Sequence, residues 1–355
     1  MKTQNIKLLE DLIAAPSISG FEQPGMRIVR DFLKPYTDSI KTDVHGNVIG
    51  VINPQAKLRV MLAGHCDQIG FMVRYITDEG FIYFSAVGGI EDSVVPGTKV
   101  WIHAGKKAIP GIIGKKAIHL LKPEERKKVT QLNKLFVDIG ATSKKDAAKL
   151  VSIGDPITFD SRLLKLKNNQ VSGPGMDDKA GVFIMCETLR LLAASKKRPQ
   201  VAVYGVATVQ EELGLRGART SAFEIDPHVG IAIDVDHATD YPGNEKAEVG
   251  DVSLGKGPII SRGPNINPIV YDLLIKAAQK KKIPHQVEGA PSATGTDANA
   301  IQINKSGVAA GLVGIPNRYM HTQVEMVSID DLANSAKLLA EFILSLTPKT
   351  NFIPL

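Results

Sequence analysis

Apolar and polar positions fall into three textures along the chain. At the start, Ile6, Leu9, Leu12 and Ile13 recur at helical spacing, and 22–35 repeats the pattern less cleanly. Apolar runs of strand length follow at Val48–Ile52 and 58–63. From about 69 to 165 the pattern becomes short strands broken by Gly and Pro, as at 80–84, 99–103 and 111–114, which is the texture of a small β-barrel or sandwich. After 170, strands and helices alternate: a helix near 179–195, strands at 201–209 and 229–235, a helix at 267–281, a strand at 308–315 and a helix at 329–346. This order predicts an α/β fold, a mixed sheet covered by helices, built from 1–68 and 166–355. A small β-barrel insert at 69–165 interrupts it, and 122–135 reads as a loop.

A length of 355 residues exceeds what one core usually organises, in keeping with that division. With 43% hydrophobic and 23% charged residues the chain is a folded protein and not a disordered one. No apolar run approaches the roughly 18 residues a spanning helix needs, so no membrane partner is expected. Residues 1–5 lead into an amphipathic stretch unlike a secretion leader, and a cytoplasmic location follows as the expectation. Cys66 and Cys186 are the only cysteines, which excludes a disulfide framework and a Cys-rich zinc site. The net charge of +6 is uneven: 101–167 carries 15 Lys/Arg against 6 Asp/Glu, and the remainder is slightly acidic. No aromatic residues interleave with those lysines, so nucleic acid is not an expected partner. A lysine-rich face that steers acidic peptides, or one that is simply solvated, fits better.

The candidate chemistry sits where the strands of the α/β part end, the place where such sheets gather ligands. The run 58–63 leads to Gly64-His65-Cys66-Asp67. His65 is placed as a metal ligand, and Asp67 can orient its imidazole through the other ring nitrogen. Asp177 and Asp178 precede an apolar helix; one suffices to cap it, and the other is free to bridge two cations. The strand 201–209 closes on Glu211-Glu212, where one carboxylate can bind metal while its neighbour faces a reacting water. Asp234 follows a buried apolar run, an expensive place for a carboxylate without a partner, with Asp236 and His237 as alternatives beside it. His321 follows the strand at 308–315.

The segments GHCDQIGFMV, GMDDKAGV, VQEELGLRGA, AIDVDHATD, ATGTDANAIQ and RYMHTQVE, spread over 64–325, together resemble the dinuclear metallo-aminopeptidases, a family that includes glutamyl and deblocking aminopeptidases and tetrahedral TET peptidases. Some of its relatives carry an endoglucanase label. The resemblance implies an aminopeptidase with two divalent metal ions per subunit, zinc by default, with cobalt or manganese fitting the same ligands. It implies that His65 and Asp234 hold one ion, Glu212 and His321 the other, and that Asp177 bridges them. Glu211 would be the general base and Asp67 the partner of His65. The insert would be a dimerisation domain, peptides the substrates, and a homododecamer the assembled form. Gln68, Lys179 and Gln323 depart from the family's usual Glu, Arg and Pro without removing a ligand. Gly295-Thr296-Asp297 is typical of the family and shapes the pocket or the packing. The competing readings are an endoglucanase-type glycoside hydrolase, which needs two carboxylates and no metal, and a non-catalytic scaffold with a vestigial site.

Overall fold

The computed structural model describes residues 6–354; residues 1–5, read above as unlike a secretion leader, lie outside them. The helices Ile6–Ala14 and Gln23–Leu33 precede three strands: β1 (Ser39–Thr42), β2 (Val48–Ile52) and β3 (Arg59–His65). Six more close a barrel: β4 (Gly70–Ile76), β5 (Ile82–Val87), β6 (Lys99–Ala104), β7 (Lys107–Gly114), β8 (Phe136–Asp138) and β9 (Pro156–Phe159). β10 (Leu164–Lys165) and β11 (Gln170–Ser172) pair with the late strand β17 (Met326–Ser328). The remaining strands are β12 (Ala202–Thr208), β13 (Val229–His237), β14 (Ile259–Arg262), β15 (Gln286–Gly289) and β16 (Ala309–Asn317). They join the first three in an eight-stranded mixed sheet of order β1-β2-β12-β3-β13-β16-β14-β15.

The central strands are parallel and apolar on both sides, because helices cover both faces. Val60 and Leu62 of β3 pack into the larger core, with Leu12, Val29, Leu189 and Leu338 from the helices on that face. Met61 and Ala63 point the other way, towards Ala218, Ala222 and Ile301 of the helices Arg216–Ile225 and Asp297–Gln302. The barrel has a core of its own, built on Phe71, Phe84, Phe159, Val100 and Val137, with the Phe71 ring edge-on to both other phenylalanines. Its first and last strands pair with each other, Phe71 opposite Ile157, so the chain leaves the barrel beside the point where it went in.

Residues 122–135, read as a loop, contain the short helix Pro123–Arg126 and a helical turn at Leu132–Lys134. Pro123 opens the first turn and the Glu125 carboxylate accepts from the Lys122 N–H at 2.7 Å, a local cap that the charge run obscures.

Candidate functional site

Four parallel or near-parallel strands deliver their carboxyl ends to one rim of the sheet. The first turn of the helix Met176–Ala193 comes close because two glycines meet there. A Cβ on Gly64 would stand 2.8 Å from the Gly181 carbonyl carbon, so any larger residue would push helix and strand apart. With the helix seated, Asp178 is fully buried and committed to main chain: Oδ2 accepts from His65 N at 3.1 Å and Oδ1 from Gly181 N at 2.8 Å. The second of these bonds caps the regular helix, which begins after Asp178.

Asp177 is left facing the cleft. Its Oδ1 lies 3.0 Å from His65 Nε2 and its Oδ2 lies 3.1 Å from His321 Nε2, so one carboxylate stands between two imidazoles. Asp234 Oδ1 is 3.7 Å and Glu211 Oε2 3.8 Å from His65 Nε2, while Glu212 Oε1 is 3.7 Å from His321 Nε2. Potential ligand atoms fall into two groups, each within 4.8 Å: His65, Asp178 and Asp234, and Asp177, Glu212 and His321. Every residue singled out in the sequence as a ligand or base is therefore drawn into one cleft of about 640 Å³, except Asp67, which lies beneath it.

Asp67 is wholly buried and organises the floor. Its carboxylate accepts from Ser19 Oγ at 2.7 Å, Glu211 N at 3.0 Å and Glu212 N at 3.2 Å, which fixes the Glu211-Glu212 turn. The nearest acceptor for His65 Nδ1 is the Asp67 carbonyl at 3.0 Å, with the carboxylate at 3.5 Å, so Asp67 orients the ring with its main chain more closely than with its acid group. Glu325, to which the sequence reading gave no role, is fully buried and accepts from Asp177 N at 3.1 Å and His321 N at 2.8 Å. Its spacing of four residues after His321 was the available signal. Asp297 accepts from Thr208 Oγ1 at 2.7 Å behind the cleft. The barrel also reaches in: a Cβ on Gly89 would lie 3.4 Å from His321 Nδ1, and one on Gly88 3.3 Å from Glu212 Oε2.

Lys179 and Gln68, two of the departures, are in contact: the buried ammonium donates to Gln68 Oε1 and, at 2.9 Å, to the Ala15 carbonyl. Cys66 is buried, and that burial pushes its thiol up to about 12, so it is inert.

The electrostatics call for cations. Burial first, then neighbouring carboxylates, pushes Glu211 up to about 10, Glu212 up to about 8 and Asp234 up to about 6. Glu212 Oε1 is buried without a hydrogen-bond partner. Two imidazoles do not offset so many carboxylates, and a nitrogen–oxygen donor set of this composition suits borderline divalent ions.

The M42 glutamyl aminopeptidase family matches residues 46–338. A lysyl aminopeptidase of Pyrococcus furiosus is 37% identical over 96% of this chain and 97% of its own. The structure of a TET aminopeptidase from a marine sediment archaeon, Thaumarchaeota archaeon SCGC AB-539-E09, superposes with a TM-score of 0.92 at 34% identity, covering 96% of each chain. TET1 peptidase of Pyrococcus horikoshii, described as assembling into a tetrahedron or a large octahedral shell, superposes with a TM-score of 0.85 at 31% identity over 96% of this chain and 99% of its own. A Thermotoga maritima structure described as an endoglucanase matches less well, with a TM-score of 0.76 at 26% identity over 94% of this chain and 96% of that one. Fold, site and relatives together define a metal-dependent aminopeptidase. Within that class the chain belongs to the M42 glutamyl aminopeptidase family.

Proposed function

We propose that the chain removes N-terminal residues from peptides by hydrolysis at a dinuclear metal site, with Glu211 as general base. The observation that carries this is the Asp177 carboxylate set between His65 and His321, with the unpartnered Glu212 oxygen beside it. His65 and Asp234 would hold one divalent ion, Glu212 and His321 the other, and Asp177 would bridge; Asp178 is excluded by its two main-chain bonds. Bound ions of this kind polarise a carbonyl and lower the pKa of a water towards neutrality, zinc being the default. Glu211 takes a proton from the attacking water as the water's oxygen bonds to the scissile carbonyl carbon. The same carboxyl then returns that proton to the departing amine as the C–N bond breaks. Asp67 and Glu325 hold the main chain on which these groups are mounted.

Elemental analysis of protein purified without chelator should find about two divalent ions per chain, and a folded, reconstituted protein with none would sink the dinuclear reading. Glu211→Gln should keep the ions while turnover falls roughly 10²–10⁴-fold. Glu212→Gln should instead weaken metal binding. An endoglucanase mechanism would survive chelation, whereas this site should lose its activity.

The insert at 69–165 is proposed as the body through which subunits join, with the homododecamer as the assembled form. Support comes from the apolar side chains it exposes, Ile112, Ile118, Leu120 and Val129 among them, and from the shells described for the Pyrococcus horikoshii relative.

A further inference from the structure

Along the cleft wall formed by β13 and β15, two further carboxylates face each other. Asp236 lies two residues beyond Asp234 on β13, hence on the same face and about 7 Å further along. Gly314 on β16 leaves room for it: a Cβ there would come within 3.2 Å of the Asp236 Cβ. From β15, Glu288 reaches back to the Asp236 carboxyl, and burial together with that contact pushes Glu288 up to about 8. Among the described residues neither acid has a Lys, Arg or His within ion-pair distance. Directly opposite Glu288 in the β14–β15 register is Ser261, whose side chain is almost fully buried, lines the cleft and has no hydrogen-bond partner. Leu312 and Met320 give the cleft an apolar wall.

We propose that Asp236, Glu288 and Ser261 form the pocket for the side chain of the substrate's N-terminal residue, and that this side chain is cationic, lysine or arginine. The inference rests on the aminopeptidase reading of the neighbouring metal site and deepens it. The fit is chemical. An ammonium or guanidinium group supplies the donors that two carboxylates and an orphan hydroxyl lack, and its aliphatic stem lies against apolar surface. A glutamyl side chain would meet like charge there, and a neutral one would leave the two acids facing each other without a cation in a partly dry pocket.

The test compares kcat/KM for lysyl, norleucyl and glutamyl p-nitroanilides on the full-length, metal-loaded protein, norleucine being the uncharged counterpart of lysine in length. Lysyl should exceed norleucyl by roughly 10- to 100-fold, the worth of a charged hydrogen bond. Glu288→Gln should cut that ratio about tenfold, and Glu288→Lys should turn the preference towards glutamyl. Glu288 is on an edge strand and half-buried, so both variants should melt cooperatively like the wild type. Calorimetry gives a second readout: lysinamide should bind the wild type more tightly than norleucinamide and lose that advantage in Glu288→Gln. A norleucyl or glutamyl preference in the wild type, or an unchanged ratio in both variants, overturns the pocket while leaving the aminopeptidase reading intact. Release of none of the three residues overturns both.

Discussion

His65 and Glu211-Glu212 each close an apolar strand, a position that marks them as candidates, while the roles proposed for them come from the resemblance. Asp178 is the helix cap and Asp177 the free carboxylate, the division of labour that two adjacent acids before a helix suggest. Glu325 and Ser19 escaped notice because they act on main chain and on another carboxylate instead of facing the cleft. Glu325→Ala would strip the acceptor from Asp177 N and His321 N together. Metal affinity, measured by competition with a chelator, should fall roughly 10- to 100-fold, as when the outer partners of ligands are removed. Unaltered affinity would mean that the helix and strand position Asp177 and His321 unaided. Gly88 is a second test. Its φ of +81° is costly for any other residue, and a Cβ there would approach Glu212. Gly88→Ala should therefore lower both stability and metal affinity, whereas the more open Gly97, also at positive φ, should show the stability loss alone.

The central strands β3, β12, β13 and β16 are legible because burial on both faces makes them continuous apolar runs. β1 was not, since its Ser-Ile-Lys-Thr sequence is an exposed edge with no such run. The small sheet of β10, β11 and β17 was missed for another reason: its strands are two or three residues long and come from both ends of the domain. The segment carrying His321 is anchored by one ion pair, Arg318 Nε to Asp240 Oδ1 at 2.7 Å and Nη2 to Oδ2 at 2.6 Å. Burial opposes ionisation of Asp240, but the guanidinium outweighs it and holds the carboxyl below its ordinary value of 3.8. A depressed acid stabilises the fold at every pH above its unfolded value and loses that contribution only as pH falls through the folded one. The stability lost in Asp240→Asn, about 1.5–3 kcal/mol by denaturant titration, should thus stay constant from pH 7 to about pH 4.5. It should shrink only at lower pH. A loss that decays between pH 7 and 5 would show that another group controls this segment.

At the scale of the whole molecule, the barrel was visible from its Gly- and Pro-broken strands, while the particular pairing that seals it, β4 with β9, was not, because those strands lie at opposite ends of the insert. Ile118→Glu with Leu120→Glu should leave the barrel core intact, both side chains being exposed, and give a smaller species by light scattering. No change in size would remove the 118–120 turn from the proposed contact. The approach of Gly88 and Gly89 to Glu212 and His321 carries this further, because the body proposed to join subunits is also a wall of the cleft. Two equilibria that share one wall are thermodynamically linked. If docking of subunits shifts that loop enough to change the affinity for a peptide by some factor, the peptide must change the affinity between subunits by the same factor. Substrate would then be an effector of assembly, and the particle's size distribution a reporter of how full its active sites are.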